Sequence, residues 1–143
     1  MRILVIGAGA LGGLIGAHLS EAGADVTLVE VNKARARLLS EMGIFITHDG
    51  HEERSVPIRV VSSLDGLSPF DLIFLAVKTY QTEDAIRAAS SAIGPNTRVL
   101  SLQNGIGNTE TLARLLGLER VLCGITYHSI QHTGPNRIHY RAG

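Results

Sequence analysis

The first strong pattern along the chain is an unbroken apolar run, R-I-L-V-I, that gives way to glycines and then to a segment with one apolar face. The run at 2–6 reads as a strand covered on both faces, as the central strands of a parallel sheet are. The segment at 10–22 reads as an amphipathic helix stopped by Gly23. Strand 25–29 and helix 33–42 repeat the alternation, with Glu30 at the strand's carboxyl end and Gly43 after the helix. The stretch 44–57 differs: I-F-I-T-H and H-E-E-R-S-V flank Asp49-Gly50, a hairpin signal that predicts a β-ribbon inserted into the α/β alternation. A short strand at 58–61 and a buried strand at 71–77 follow. A helix over 79–93 is ended by Gly94-Pro95, and a strand covers 97–102. The loop 103–107 opens a helix at 108–116, a strand covers 120–124, and 125–140 reads as β structure around Gly134-Pro135-Asn136.

Strand–helix alternation of this kind predicts a Rossmann-like, doubly wound, mostly parallel α/β sheet with right-handed crossovers, here with a β-ribbon insertion. The 143 residues fit one dinucleotide-binding domain. Gly13 and Gly16 inside the first helix each cost about 1 kcal/mol in helix propensity, which suggests close packing against the sheet or a ligand, with simple tolerance as the alternative.

Gly7, Gly9 and Gly12 fall at G-x-G-x-x-G spacing between that strand and that helix. The first glycine permits a tight turn, the second a close approach of backbone to pyrophosphate, and the third close contact of helix with sheet. Helix N–H groups and the helix dipole then face the phosphates. Gly7, Ala8, Gly9, Ala10, Leu11 and Gly12 are therefore candidate cofactor residues. Ligands of open α/β sheets bind beyond the carboxyl ends of the strands. The glycine loop, Glu30, Val77-Lys78-Thr79 and the 103–107 loop should line one crevice there.

Glu30 stands close to the ~20 residues expected for an acid that binds the adenosine ribose hydroxyls. Its carboxylate would accept from a 2′-OH and repel a 2′-phosphate, whereas Lys33 and Arg35 could offer positive charge to that phosphate. The alternative is a solvated strand-end residue. Lys78 follows an apolar strand and is either an anion contact or a solvated lysine. Asn104 precedes Gly105 and is either a turn residue or a partner for a nicotinamide ribose or substrate carbonyl. His128, His132 and His139 lack a convergent acidic partner, so no metal site is expected. Cys123 reads as an inert thiol buried in an apolar strand.

Thirteen residues of each charge sign give no reason to expect nucleic acid or an acidic membrane surface as partner. A single cysteine fits a reducing compartment, and no apolar run reaches the ~20 residues of a membrane span. Strand-like sequence from Arg2 leaves no room for a leader. The expected location is cytoplasmic.

Several motifs together resemble the ketopantoate reductase (2-dehydropantoate 2-reductase) family. They are G-A-G-A-L-G-G-L-I-G at the start, A-V-K-T-Y-Q-T at 76–82, L-Q-N-G-I-G-N-T-E at 102–110, G-I-T-Y-H-S at 124–129, and Gly134-Pro135 before Ile138-His139. The resemblance implies NADPH-dependent reduction of a small 2-oxo acid, 2-dehydropantoate, to pantoate on the route to pantothenate. It implies that the 7–12 loop binds pyrophosphate and that Lys78 and Asn104 meet both cofactor and substrate. Ile130 stands where a family residue touches the cofactor through its backbone. NADP-using members carry an arginine after the second strand, where this chain has Val31 preceded by Glu30; NAD is therefore open beside NADP. The family's helical C-terminal domain, with its catalytic lysine, is absent from this chain, so the catalytic residues are expected outside it. The resemblance further implies a cofactor-binding half that is inactive alone, with exposed apolar surface through which a homodimer could form. Two other readings stand beside it: the NAD(P)-binding domain of another 2-oxo-acid or β-hydroxyacid dehydrogenase, and a non-catalytic nucleotide-sensing regulatory domain of a potassium transporter.

Overall fold

A computed structural model describes residues 1–103 and 107–141. Six parallel strands form the main sheet: β1 (Arg2–Ile6), β2 (Asp25–Val29), β5 (Arg59–Val61), β6 (Phe70–Leu75), β7 (Ile93–Ser101) and β8 (Val121–Cys123). Their spatial order is β5-β2-β1-β6-β7-β8, so the chain winds outward in one direction from β1 and in the other from β6. That reversal is the switch point at which doubly wound sheets bind ligands. Helices α1 (Ala10–Glu21), α2 (Lys33–Met42), α3 (Thr82–Ala88) and α4 (Asn108–Leu116) make the crossovers.

The alternation along β1 divides the core. Ile3 and Val5 point toward Leu14 and Ala17 of α1 and Leu39 of α2, whereas Leu4 and Ile6 point toward Ile86 of α3 and Leu112 of α4. Both faces of the strand are covered, which is why it carries an unbroken apolar run.

The predicted ribbon is part of something larger. Its strands β3 (Ile44–His48) and β4 (Arg54–Val56) pair antiparallel. The C-terminal hairpin, β9 (Ser129–Gly134) and β10 (Arg137–Arg141), lies parallel to β3 through β10. The result is a second sheet of order β4-β3-β10-β9. Its buried side chains Ile44, Ile46, Val56 and Ile138 pack on the α1 side of the core. Asn136 in the β9–β10 turn fixes this junction: its side-chain amide donates to the Gly43 carbonyl at 3.2 Å, and its own carbonyl accepts from Phe45 N at 2.8 Å. Local pattern identifies each hairpin, but pairing between residues some 90 positions apart leaves no local signal.

Three expectations are corrected. The single helix over 79–93 is a 3-10 turn (Thr79–Gln81), the short α3 and a second 3-10 turn (Ser90–Ala92), with strand already beginning at Ile93. Ala89 leaves helical geometry, and Ser91 Oγ instead donates to the Leu64 carbonyl at 3.2 Å. β7 accordingly extends over the expected helix stop at Gly94-Pro95. A register shift between Phe70 and Leu72 marks its irregular start, where proline is tolerated in a strand. The buried strand expected to 77 ends at Leu75, where the chain turns across the glycine loop. Cys123 is exposed rather than buried, because β8 is an edge strand; its thiol lies 3.1 Å from Thr109 Oγ1. Among the described residues no helix is long and apolar enough to cross a membrane.

Where α1 meets the second sheet, Tyr140 gathers imidazoles: His48 stacks on it at 4.5 Å and His18 meets it edge-on at 5.5 Å. Arg54 engages Glu21 through two bonds of 2.7 and 3.0 Å and lies 3.4 Å from His18. Burial, and then the Arg54 charge, hold the His18 imidazole below its ordinary value of 6.5. An imidazole depressed in the folded state takes up protons more readily when unfolded. Its contribution is present above about pH 6.5 and is lost as the pH falls toward the folded value. Unfolding midpoints in urea should therefore drop between about pH 7.5 and about 5.5, and His18→Gln should flatten that drop. An unchanged slope in the variant would remove His18 from the account.

Candidate functional site

The carboxyl ends of β1, β2, β6 and β7 open into one cleft of about 830 Å³, within the ~300–1,000 Å³ range of small-molecule and cofactor sites. Its floor is the glycine loop, whose glycines differ in what surrounds them. Gly7 turns out of β1 with φ +104°, and a Cβ there would stand 2.9 Å from the Ala76 backbone. A Cβ on Gly12 would come within 2.0 Å of the Gly7 carbonyl oxygen and 2.8 Å of Ala76 Cβ, so α1 rides directly on the loop and on the chain leaving β6. Gly9 has no heavy atom within 4 Å of where its Cβ would be, although its φ of −63° suits any residue. Space, rather than backbone conformation, distinguishes Gly9. It is the N-cap of α1, whose first turn carries no acidic side chain. No acidic side chain of that turn therefore offsets the positive end of the dipole.

Of the residues expected here, Gly7, Ala8, Gly9, Ala10, Leu11, Glu30, Lys78 and Ile130 all line the cleft. Gly12 does not; it lies beneath the loop as a contact between helix and loop. Asn104 lies outside the described residues. Val31, 78% exposed, sits at the cleft beside Glu30. Lys78 is exposed, and its backbone N–H is held by Gln81 Oε1 at 3.2 Å at the start of the 3-10 turn.

Glu30 is not the solvated strand-end residue that one reading allowed. It is 9% exposed, accepts from the Asn32 N–H at 2.9 Å and forms an ion pair with Arg35. Arg35 also donates to the Ala8 carbonyl in the glycine loop and to the Pro135 carbonyl in the β9–β10 turn, each at 2.7 Å. Arg35 is thus committed to protein acceptors. Nearby, burial and the Arg35 charge push the His132 imidazole below its ordinary value.

The three candidate histidines are apart. His128 lies near Tyr140, His132 beside Arg35, and His139 bonds Asp49 at 2.7 Å. No group of three His, Cys, Asp or Glu side chains suited to a metal occurs among the described residues.

Gln103 belongs to the site through a network that no local pattern announces. Its side-chain nitrogen donates to the Val77 carbonyl at 2.7 Å and to Thr82 Oγ1 at 3.0 Å, and its oxygen accepts from Ser101 Oγ at 3.0 Å. The amide thereby ties the end of β7 to the segment that carries Lys78. Replacing Gln103 by leucine strands the Val77 carbonyl and the Thr82 hydroxyl. Urea unfolding should then show a loss of about 1–3 kcal/mol, and a loss under about 0.5 would show the network to be idle.

A family model described as ketopantoate reductase PanE/ApbA matches residues 3–143. The 2-dehydropantoate 2-reductase of Pyrococcus horikoshii is 36% identical over 141 residues, covering 99% of this chain and 44% of that protein. The same-named protein of Halobacterium salinarum is 31% identical, covering 100% and 47%. Among solved structures, 2-dehydropantoate 2-reductase from Geobacter metallireducens GS-15 superposes with a TM-score of 0.88 at 27% identity, covering 100% of this chain and 47% of that one. D-mandelate dehydrogenase in a ternary structure with NADH and anilino(oxo)acetate also reaches 0.88, at 28% identity and coverage of 97% and 45%. The chain spans less than half the length of these relatives.

Proposed function

Because the chain belongs to the PanE/ApbA ketopantoate reductase family, we propose that it is the part of an oxidoreductase that holds a nicotinamide dinucleotide for reduction of a 2-oxo acid. In the whole enzyme that substrate is 2-dehydropantoate and the product pantoate, the precursor of pantothenate. The observation that carries the reading is the cradle at Gly9: open space over the N-terminus of α1, whose first turn has no acidic side chain, at the sheet's switch point. A helix N-terminus left open in this way favours an anionic group such as a pyrophosphate.

The reduced nicotinamide supplies, when bound, a hydride for the substrate carbonyl carbon. The chain's own residues bind and orient. Gly7, Ala8, Gly9, Ala10 and Leu11 offer backbone to the diphosphate, and Gly12 keeps the helix close enough for its dipole to act. Glu30 serves the adenosine ribose. Lys78, across the cleft, offers its ammonium to the substrate carboxylate or the nicotinamide ribose, and Gln103 holds the backbone on which that lysine stands. Ile130 closes the opposite wall, and Asn104 contributes its amide to cofactor and substrate. The catalytic proton donor comes from the part of the relatives that this chain does not span, so the chain alone binds cofactor without appreciable turnover. Residues 1–143 act as one dinucleotide-binding domain. The exposed side chains of Tyr80, Ile125 and Tyr127 are the surface through which such domains would pair. The cytoplasm is the compartment this chemistry and the lone thiol suit. The likeness to D-mandelate dehydrogenase supports a second reading, another 2-oxo-acid reductase with the same cofactor site.

Calorimetric titration with NADH and with NADPH tests the proposal. At least one should bind with a dissociation constant below about 1 mM. Gly9→Val should weaken that binding at least about tenfold while costing the fold no more than about 1 kcal/mol as an N-cap change, since its side chain enters only the space assigned to phosphate. Absence of binding by both cofactors would overturn the reading.

A further inference from the structure

Between β8 and β9 the chain leaves the main sheet and passes along the cleft. It departs at Gly124, whose N–H still donates to the Ser101 carbonyl at the end of β7, at 3.1 Å. From there the side chains alternate. Thr126, His128 and Ile130 line the cleft, whereas Ile125 and Tyr127 are 76% and 80% exposed. A period of two is that of extended chain, whose successive side chains point to opposite faces. The segment is a strap with one face toward the ligand site, and His128 is the titratable group on that face.

The imidazole is held at one nitrogen. Nδ1 lies 3.0 Å from Thr126 Oγ1, and the same hydroxyl oxygen accepts from the His128 backbone N–H at 3.4 Å. Nε2 has no partner among the described residues. Protonation of a ring held in this way makes both nitrogens donors, so Nε2 becomes a charged donor with no protein acceptor.

The groups around the ring offer that charge no counter-ion. Behind it stands Tyr140 of β10, 6.4 Å away between centroids, with His48 of β3 stacked on the phenol and His51 stacked on His48. His18 of α1 meets Tyr140 edge-on, and a charge on His128 opposes one on His18. Arg54 of β4 adds a further cation there, and Glu21 of α1, the nearby carboxylate, is already paired with it. On the cleft side, the other charged side chains among the described lining residues are Glu30, Lys78 and Asp84. Glu30 is paired with Arg35, and Asp84 offsets Lys78 in sign. The walls therefore carry no surplus cation for an anionic ligand until His128 takes up a proton. Imidazole is the side chain whose charge changes between about pH 5 and 8.

We infer that His128, positioned by Thr126, is a proton-dependent anion contact of the strap, so that dinucleotide binding draws a proton from solvent onto its ring. The inference rests on the proposed reading of the cleft as a nicotinamide dinucleotide site. The sign follows from linkage. An anion held against the ring favours its protonated form, so binding takes up protons and tightens as the pH falls.

Calorimetric titration with NADH or NADPH in two buffers of different ionisation enthalpy reads the proton count. The parent should take up a fraction of a proton near neutral pH. Its affinity should rise about two- to fivefold from about pH 8 to about pH 6, the modest effect of an exposed and screened charge. His128→Gln should remove that uptake and flatten the pH dependence, and His128→Asn repeats the test should the glutamine variant fail to fold. The 2′-phosphate of NADPH itself titrates near pH ~6, so with that ligand the uptake is the difference between parent and variant. His18→Gln, in the same group of rings but off the cleft, should keep the uptake. Equal uptake by the parent and His128→Gln overturns the inference and leaves the dinucleotide site standing, as does loss of uptake in His18→Gln alone. Failure of both cofactors to bind overturns the site and the inference with it.

Discussion

The structure depends on how closely helix α1 lies against its surroundings. At Gly12 the helix axis approaches the Gly7 carbonyl and Ala76 so nearly that no side-chain carbon fits. At Gly13 a Cβ would meet Ile138 of the second sheet at 2.7 Å, and at Gly16 it would meet Ile58 at 3.1 Å. Three glycines of one helix are thus in contact with three other parts of the fold: the glycine loop with β6's exit, β10, and Ile58 just before β5. A helix with ordinary side chains at these positions would be pushed outward. Its N-terminus would leave the cleft, and the second sheet would lose its seat. The helix-propensity cost of these glycines is offset by dispersion contacts on every side, which the dense packing of protein interiors demands.

That arrangement explains what was legible. Gly7, Gly9 and Gly12 could be read because the turn and the helix they join are both local, although Gly7 and Gly12 also clear the distant Ala76. Glu30 was legible as a candidate because the length from the glycine loop to the end of β2 is set by one helix and one strand. The internal glycines Gly13 and Gly16 announced close packing without naming the partner. What could not be read lies in long-range pairing. Nothing around Arg35 reveals that its guanidinium reaches Ala8 and Pro135, and nothing around Gln103 reveals Val77 and Thr82. Cys123 was misread for a related reason: an apolar triplet looks the same on a central strand and on an edge strand, and only the sheet order tells them apart. The helix over 79–93 was misread because a 3-10 turn precedes α3 and Ala89 ends it, neither of which a glycine or proline marks locally.

The two polar networks divide the cleft between them. Arg35 and Glu30 fix the end that begins at β2 and connect it to the second sheet; Gln103 and Thr82 fix the end between β6 and β7 and carry Lys78. Each is built around a planar, multidentate side chain: Arg35 bonds two backbone carbonyls and the Glu30 carboxylate, and Gln103 bonds one backbone carbonyl and the hydroxyls of Thr82 and Ser101. Between the two lies the glycine loop, which contributes space and backbone. The cleft therefore has a rigid acceptor at one end, a flexible cation at the other, and an electropositive floor.

The parallel pairing of β3 with β10 also has a consequence for how the chain becomes folded. Ile46 cannot find Ile138 until almost all of the described chain is available, and closing so long a loop costs conformational entropy before any contact offsets it. The β3–β4 hairpin, whose two strands are close in sequence, has to wait with Ile44, Ile46 and Val56 unprotected on one side. A two-stranded ribbon is marginal in water and its edge is a template for mispairing. During synthesis the six-stranded sheet can assemble from β1 to β8 first, and the second sheet closes over α1 once β10 follows. Among the described elements, β10 is thus the one that shields the earlier exposed hairpin from other chains.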